Sequence, residues 1–174
     1  VSTPTIIGID NGPTGSIGVI RHRLAVYFGP VPTKPSLHYG KKGSISNRLD
    51  RATFNVTLMK ALDFNGQSWP GTDNIRVFIE RPFTASAMMI KAMMSSARFF
   101  EATIIALEDL GLGYEVIDSG TWQKPLLGAV KGSKELKLAS KLRGQQLYPQ
   151  YADAIKEQGD ADGLLIAHHF ARNQ

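Results

Sequence analysis

An α/β layered fold with a mixed sheet is the class this sequence predicts, and three observations predict it. Short apolar runs that end in an acid recur along the chain, as IIGID at 6–10, RVFIE at 76–80 and YEVID at 114–118. A glycine-rich turn at 11–15 joins the first run to a second strand, so an antiparallel neighbour is expected there. Segments with helical spacing of apolar residues separate the later runs, the pattern of strands alternating with helices. At 174 residues with 43% apolar content, the chain reads as one globular domain over 1–174, long enough to bury a core without staples.

Residues 5–9 and 16–21 are the expected opening hairpin, and LAVYF at 24–28 extends it to a meander. The stretch 29–47 carries three prolines and reads as a loop. A helix is expected from about Asn47, because Leu49, Ala52, Val56 and Met59 recur at helical spacing. After the run at 76–80 comes a long helix with the stripe Met93, Ala97, Phe100, Ile104 and Leu107, stopped by Gly111. Its methionines, Met88, Met89, Met93 and Met94, suit a core or, if exposed, a seam between two copies. A strand at 114–119 follows. The remainder is helical, with Pro149 separating a basic segment from a last helix that begins near Asp160. The predicted order is β-β-β-α-β-α-β-α-α.

Composition excludes several classes of protein. The absence of cysteine rules out a disulfide framework and thiolate zinc sites. No apolar run approaches the roughly 18 residues of a membrane span, and no basic-then-apolar leader opens the sequence, so a soluble intracellular protein with no membrane partner is expected. Twenty Lys and Arg stand against 15 Asp and Glu, a net charge of +5. Five of the cations, Lys131, Lys134, Lys137, Lys141 and Arg143, share one short segment with a single acid, Glu135. A second cluster, Lys34 to Arg51, includes Lys41, Lys42 and Arg48. Solvated helix faces and loops account for such clusters as readily as a polyanionic partner does.

The acids carry the sharper signal. Asp10 and Glu80 each close a run that reads as a buried central strand, and Asp160 and Asp162 open the last helix. Strand ends at the carboxyl edge of a central sheet converge on a shared crevice. Carboxylates gathered there repel one another unless cations neutralise them. Oxygen ligands without histidine or cysteine favour Mg²⁺ or Mn²⁺ over zinc, and two such ions about 4 Å apart are the arrangement that hydrolyses phosphodiesters. Other roles stand beside this one. Asp10 could accept from its turn's amides, Glu80 could pair with Arg81, Asp160 could cap the last helix, and Asp118 could cap the helix at 120–122. Residues two apart diverge by about 200° on a helix, so Asp160 and Asp162 meet only if Asp160 precedes the first turn. His168 and His169 read as core-edge or surface residues.

Taken in order, IGIDNGPTGSIGVI, VFIERPF, DSGTWQKPLLGAVKGSKELK and DADGLLIAHH resemble the RuvC family of Holliday-junction resolvases, within the RNase H-like superfold. The resemblance implies an RNase H-like three-layer fold, a five-stranded mixed sheet flanked by helices. It implies a homodimer that cuts symmetric strands of a four-way DNA junction and leaves 5′-phosphate ends, using Mg²⁺ (Mn²⁺ substituting) with two ions per site. Asp10 matches the family's first catalytic acid, Glu80 its second and Asp162 its last. The family places a further acid or histidine where this chain has Gly159, and Asp160 is the nearest acid. Phe83 matches an aromatic set against unpaired bases, with Arg81 beside it. Lys124 falls one position from a family lysine, and Lys131, Lys134 and Lys137 occupy a phosphate-contacting region.

Three other classes stand beside the resolvase reading. The Asp-x-Gly-x-Thr-Gly turn at 10–15 also occurs in sugar-kinase and actin-like ATPases, which need a second domain that 174 residues cannot hold. An RNase H-type or branched-DNA nuclease, or a non-cleaving nucleic-acid-binding module, would share the fold.

Overall fold

Ile6, Ile7, Ile9, Ile17 and Val19 are all essentially inaccessible to solvent, because the strands that carry them are covered on both faces. The computed structural model describes residues 3–37, 45–62, 74–82 and 90–173. Lys41, Lys42, Phe83, Met88 and Met89, singled out above, lie outside the described residues.

The elements run β1 (Thr5–Ile9), β2 (Ser16–Arg21), β3 (Leu24–Pro30), β4 (Thr33–Leu37), β5 (Ile45–Leu49) and α1 (Arg51–Leu62), then β6 (Ile75–Glu80), α2 (Ile90–Asp109) and β7 (Tyr114–Ile117). They finish with α3 (Ser119–Leu127), α4 (Ser133–Leu147), a 3₁₀ turn (Pro149–Tyr151), α5 (Ala152–Gln158) and α6 (Asp162–Arg172). The main sheet has five strands in the order β3-β2-β1-β6-β7. β1 pairs antiparallel with β2 and parallel with β6, with Ile7 opposite Val19 on one side and Val77 on the other. β7 continues the parallel half beside β6. The mixed, helix-flanked α/β sheet expected from sequence is therefore the one that forms.

Alternate residues of the central strands feed two cores, one on each face of the sheet. Ile7, Ile9, Ile17 and Val19 meet Phe54 and Leu58 of α1 and Phe99 and Leu107 of α2. Ile6, Ile20 and Phe78 meet Leu164, Leu165 and Ile166 of α6, with Trp122 and Ile155. The sheet thus forms the middle of three layers.

Three expectations are corrected. The stretch 29–47 is not all loop, since β3 runs to Pro30 and β4 and β5 form a separate two-stranded antiparallel sheet. Its prolines sit at strand ends or on an edge, where no ladder donor is required. The first helix starts at Arg51, not near Asn47. The Asp50 carbonyl accepts from Phe54 N–H at 2.8 Å, and the Asp50 carboxylate accepts from the Thr53 hydroxyl at 2.9 Å. With that start the buried stripe is Phe54, Leu58, Ala61 and Leu62, while Val56 and Met59 are exposed and Leu49 belongs to β5.

The long helix is also turned from its expected face. Phe99, Thr103, Ala106 and Leu107 are buried, whereas Met93 and Ala97 are exposed and Phe100 and Ile104 are half-buried. The reason is Thr103, a polar residue in an apolar stripe. Its hydroxyl has two acceptors for its one proton, the Phe99 carbonyl and the Asn11 side-chain oxygen, both at 3.0 Å, and so is satisfied where apolar periodicity would not place it. Met93, Met94 and Ile90 are not core.

Candidate metal centre

The site is built by a helix laid unusually close to two strands. At Gly8 of β1 an added Cβ would overlap the Gly163 carbonyl and the Ala167 amide, and at Gly18 of β2 it would overlap the backbone of Leu164. Only glycine lets α6 rest on the sheet at this separation. The Ser16 hydroxyl, fully buried, then accepts from the Gly163 N–H at 3.0 Å and satisfies one of the orphan amides of the helix start. These contacts place the first turn of α6 beside the end of β1, where Asp10 emerges.

The turn after Asp10 is fixed from several directions. Asp10 N–H donates to the Ser16 carbonyl at 3.0 Å and Val31 N–H to the Gly15 carbonyl at 2.9 Å. The Gln158 amide donates to the Thr14 and Gly15 carbonyls at 2.9 and 3.2 Å. Gly159 then takes a left-handed conformation, φ 93°, that ends α5 and turns the chain toward Asp160.

Carboxylate oxygens of Asp10, Asp160 and Asp162 all lie within 4.8 Å of one another. Asp160 lies before the first turn of α6, the condition under which the two C-terminal acids can meet. It is fully buried, and its carboxylate accepts from Asp162 N–H at 3.4 Å and faces the Lys137 ammonium at 3.4 Å. So it touches the helix start, as the capping alternative required, and faces the cluster as well. The Ser140 hydroxyl of α4 donates to the Asp162 carboxylate and accepts from Ala161 N–H, the latter at 3.1 Å.

Glu80 stands just outside this trio. Its carboxylate accepts from the indole N–H of the buried Trp122 at 2.6 Å, which fixes the orientation of its head. It does not pair with Arg81, which faces Asp118 at 3.4 Å. Asp118 occupies the position before α3 and makes no side-chain capping bond.

The electrostatics record crowding. Burial, reinforced by the charges of Glu80 and Asp160 and offset by Lys137, pushes Asp10 up to about 7. Burial also raises Glu80 to about 7, against the lowering bond from Trp122 and with further push from Asp162 and Asp160. Asp162 rises to about 8 through burial and then the charges of Asp10 and Asp160, held down in part by Ser140 and Lys137. Carboxylates that resist ionisation at neutral pH in one crevice are the signature of a site that lacks positive charge. A hard cation bound by oxygen is the partner that this donor set fits.

The remaining sequence candidates separate. Lys137 belongs to the carboxylate cluster. Lys124 on α3, Lys131 before α4 and Lys134 in its first turn are exposed, as is Arg81. His168 lies two turns along α6, its Nδ1 2.6 Å from the Tyr148 hydroxyl, and burial together with Arg172 and Arg143 pulls it down to about 4. Sequence reasoning missed Ser16, Ser140 and Trp122. None had a signal of its own, since a serine's role as a bridge depends on which element packs against it.

No protein-family model matches the sequence, and no curated protein is similar to it by sequence. Solved structures do match over nearly the whole chain. RuvC of T. thermophilus in complex with Holliday junction substrate superposes with a TM-score of 0.57 at 16% identity, over 98% of this chain and 96% of that one. A second structure of Thermus thermophilus RuvC gives a TM-score of 0.46 at 15% identity, over 97% and 96%. With its five-stranded mixed sheet between two helical layers, the chain has a RuvC-like fold of the RNase H-like kind.

Proposed function

We propose that this chain is a divalent-metal-dependent endonuclease that cuts branched DNA, resolving four-way junctions by paired symmetric nicks that leave 5′-phosphate ends. The observation that carries the reading is the trio Asp10, Asp160 and Asp162, whose carboxylate oxygens lie within 4.8 Å of one another and which, among the described residues, have Lys137 as the cation lowering their charge repulsion. The RuvC-like fold supports it, since the solved neighbour at 0.57 was determined with Holliday junction substrate.

Asp10, Asp160 and Asp162 would hold a cation, with Glu80 at the border as a ligand of a second. Mg²⁺, or Mn²⁺ in its place, supplies Lewis-acid polarisation of the phosphate and a more acidic water when bound. The chain's own residues do the rest. Trp122 bonds one oxygen of the Glu80 carboxylate and leaves the other for a cation, favouring the ionised form that such a ligand needs. The attacking water, oriented by Asp10 and Asp162, gives its proton to bulk water. Its oxygen bonds to phosphorus as the bond to the 3′ oxygen breaks, and the 3′ oxygen takes a proton from bulk water, leaving a 3′ hydroxyl and a 5′ phosphate. Lys137, 3.4 Å from Asp160, sets a positive charge where the phosphoryl oxygens gain negative charge.

The exposed Arg81, Lys124, Lys131 and Lys134 would contact backbone phosphates, which positions DNA without reading sequence. Phe83, three residues after Glu80, would stack on an unpaired base. Paired cuts need two sites, so a homodimer of single-domain protomers belongs to the reading, with exposed Ile90, Met93 and Met94 of α2 as its seam.

The test is incubation with a four-way junction, a matched linear duplex and an RNA–DNA hybrid, in Mg²⁺ or Mn²⁺, beside Asp10→Asn and Asp162→Asn. Symmetric paired nicks confined to the junction, absent from both variants, are expected. Equal cutting of the hybrid would turn the reading to a ribonuclease, and wild-type rates from Asp10→Asn would remove the metal site.

A further inference from the structure

Away from the carboxylates, a groove of about 280 Å³ opens between the β4–β5 hairpin and α2, lined by Lys34, Arg48, Leu49, Arg51, Arg98 and Ala102. We infer that this groove holds the phosphodiester backbone of a DNA strand leading away from the cleavage site. The inference rests on the reading of the chain as a DNA-cutting enzyme and adds a second contact surface to it.

The hairpin carries the argument. Lys34 and Arg48 are direct partners across the two strands. Residues so placed project from the same face within about 5 Å at Cβ, and like charges there destabilise the pair. Asp50 relieves Lys34, at 3.5 Å, but Arg48 is exposed and has no acid partner among the described residues. Two residues further along, the same face presents Ser36 opposite Ser46. The cation pair is a poor design for a hairpin's own stability. It is a good one for an extended anion, whose phosphates take up both the charge and the hydroxyl donors.

Arg51 of α1 and Arg98 of α2 complete the lining, and among the described residues Asp50 pairs with Lys34 and Asp109 with Arg51. Exposed pairs of this kind are weak and exchange readily for phosphate.

Both walls are tied to the turn that follows Asp10. The hairpin connects through Val31 N–H to the Gly15 carbonyl at 2.9 Å, and α2 connects through the Thr103 hydroxyl to Asn11 at 3.0 Å. Lys34 lies three residues beyond Val31, roughly 10 Å of extended chain. Arg98 lies five residues before Thr103, roughly 8 Å of helix. The groove is thereby anchored to the same turn that presents Asp10, within a few residues of it along both walls. The contact is with backbone, so it serves junction arms and linear duplex alike.

Fluorescence anisotropy on a labelled four-way junction and a matched duplex tests this, in an Asp10→Asn background that leaves the DNA intact, from 50 to 200 mM salt. Lys34→Gln and Arg48→Gln should each weaken both DNAs about three- to tenfold and lower the log–log salt slope by about one. Arg48→Glu should weaken them by more than about tenfold while raising the melting temperature, because it faces Lys34. Affinity and slope unchanged within about twofold in all three, with Lys131→Gln and Lys134→Gln still weakening binding, would overturn the groove and leave the nuclease reading standing. If the parent bound neither DNA, both readings would fall together.

Discussion

Raising the pH of the metal-free protein should destabilise it, and adding a divalent cation should remove that dependence. Asp10, Glu80 and Asp162 bind protons more tightly in the folded chain than in the unfolded one. A raised carboxyl contributes stability that is present at low pH and is lost as pH rises through its folded value. His168 runs the other way. Held near 4 when folded, it contributes stability above its ordinary 6.5 and loses it between there and about 4. At pH 6.5 the unfolded histidine is still half protonated and by 8.5 it is neutral, so His168 returns about 0.4 kcal/mol across that window and His169, also lowered by burial, acts in the same direction; the carboxyls outweigh both and set the sign of the slope.

Across that window a group at about 7 forfeits roughly 1 kcal/mol and one at about 8 roughly 2. Because the acids are coupled, about 2–4 kcal/mol for the site is the expected loss. Urea unfolding in EDTA at the two pH values measures it. The same experiment in millimolar Mg²⁺ or Mn²⁺ should show a flattened dependence, since a cation held by the folded cluster would favour its ionised acids and stabilise that state alone. Asp10→Asn should flatten it without metal. A metal-free protein whose stability is constant or rises from pH 6.5 to 8.5 would refute the reasoning, because the acids would then not share one buried crevice.

Three substitutions test the supports of the site. Gly8→Ala places a Cβ against the Gly163 carbonyl and Ala167 amide, so α6 must lift from β1. A loss of about 1–3 kcal/mol in urea and weaker Mn²⁺ binding by calorimetry are expected, and unchanged Mn²⁺ affinity would show that the close approach does not set the cluster. Ser140→Ala leaves the Ala161 N–H buried without its acceptor and removes the bond that holds Asp162 down. About 1–3 kcal/mol should be lost, with the pH midpoint of metal-free stability moving upward. Trp122→Phe removes the donor that lowers Glu80. The acid limb of the cutting-rate profile should therefore move to higher pH, and a limb that stayed in place would mean Glu80 need not be ionised for cutting.

Much of this was legible from residues alone. Ile6 to Ile9 and Val77 to Ile79 are continuous apolar runs, and a strand covered on both faces has no other composition available. An acid at the end of each such run then had to lie at the sheet's edge, which located Asp10 and Glu80. The last helix was readable from Asp162-Gly163-Leu164-Leu165, although it begins two residues later than expected. The hairpin of β4 and β5 was hidden by its prolines, which mark loops in general and are harmless on a two-stranded edge. The faces of α1 and α2 were misread because Asp50 fixes the phase of one, and a satisfied Thr103 occupies the stripe of the other.

Sequence determined that acids would end the central strands and begin the last helix. Which of them share one cation's reach was decided by tertiary structure alone. Gly8 and Gly18 admit α6 to van der Waals contact with the sheet, and Gly159 turns Asp160 inward ahead of the helix. Ser140 and Trp122 then divide four acids into a trio and a neighbour. The physical reason is range. Strand character is settled by adjacent residues, whereas the distance between two carboxylates depends on how closely backbones distant in sequence can approach.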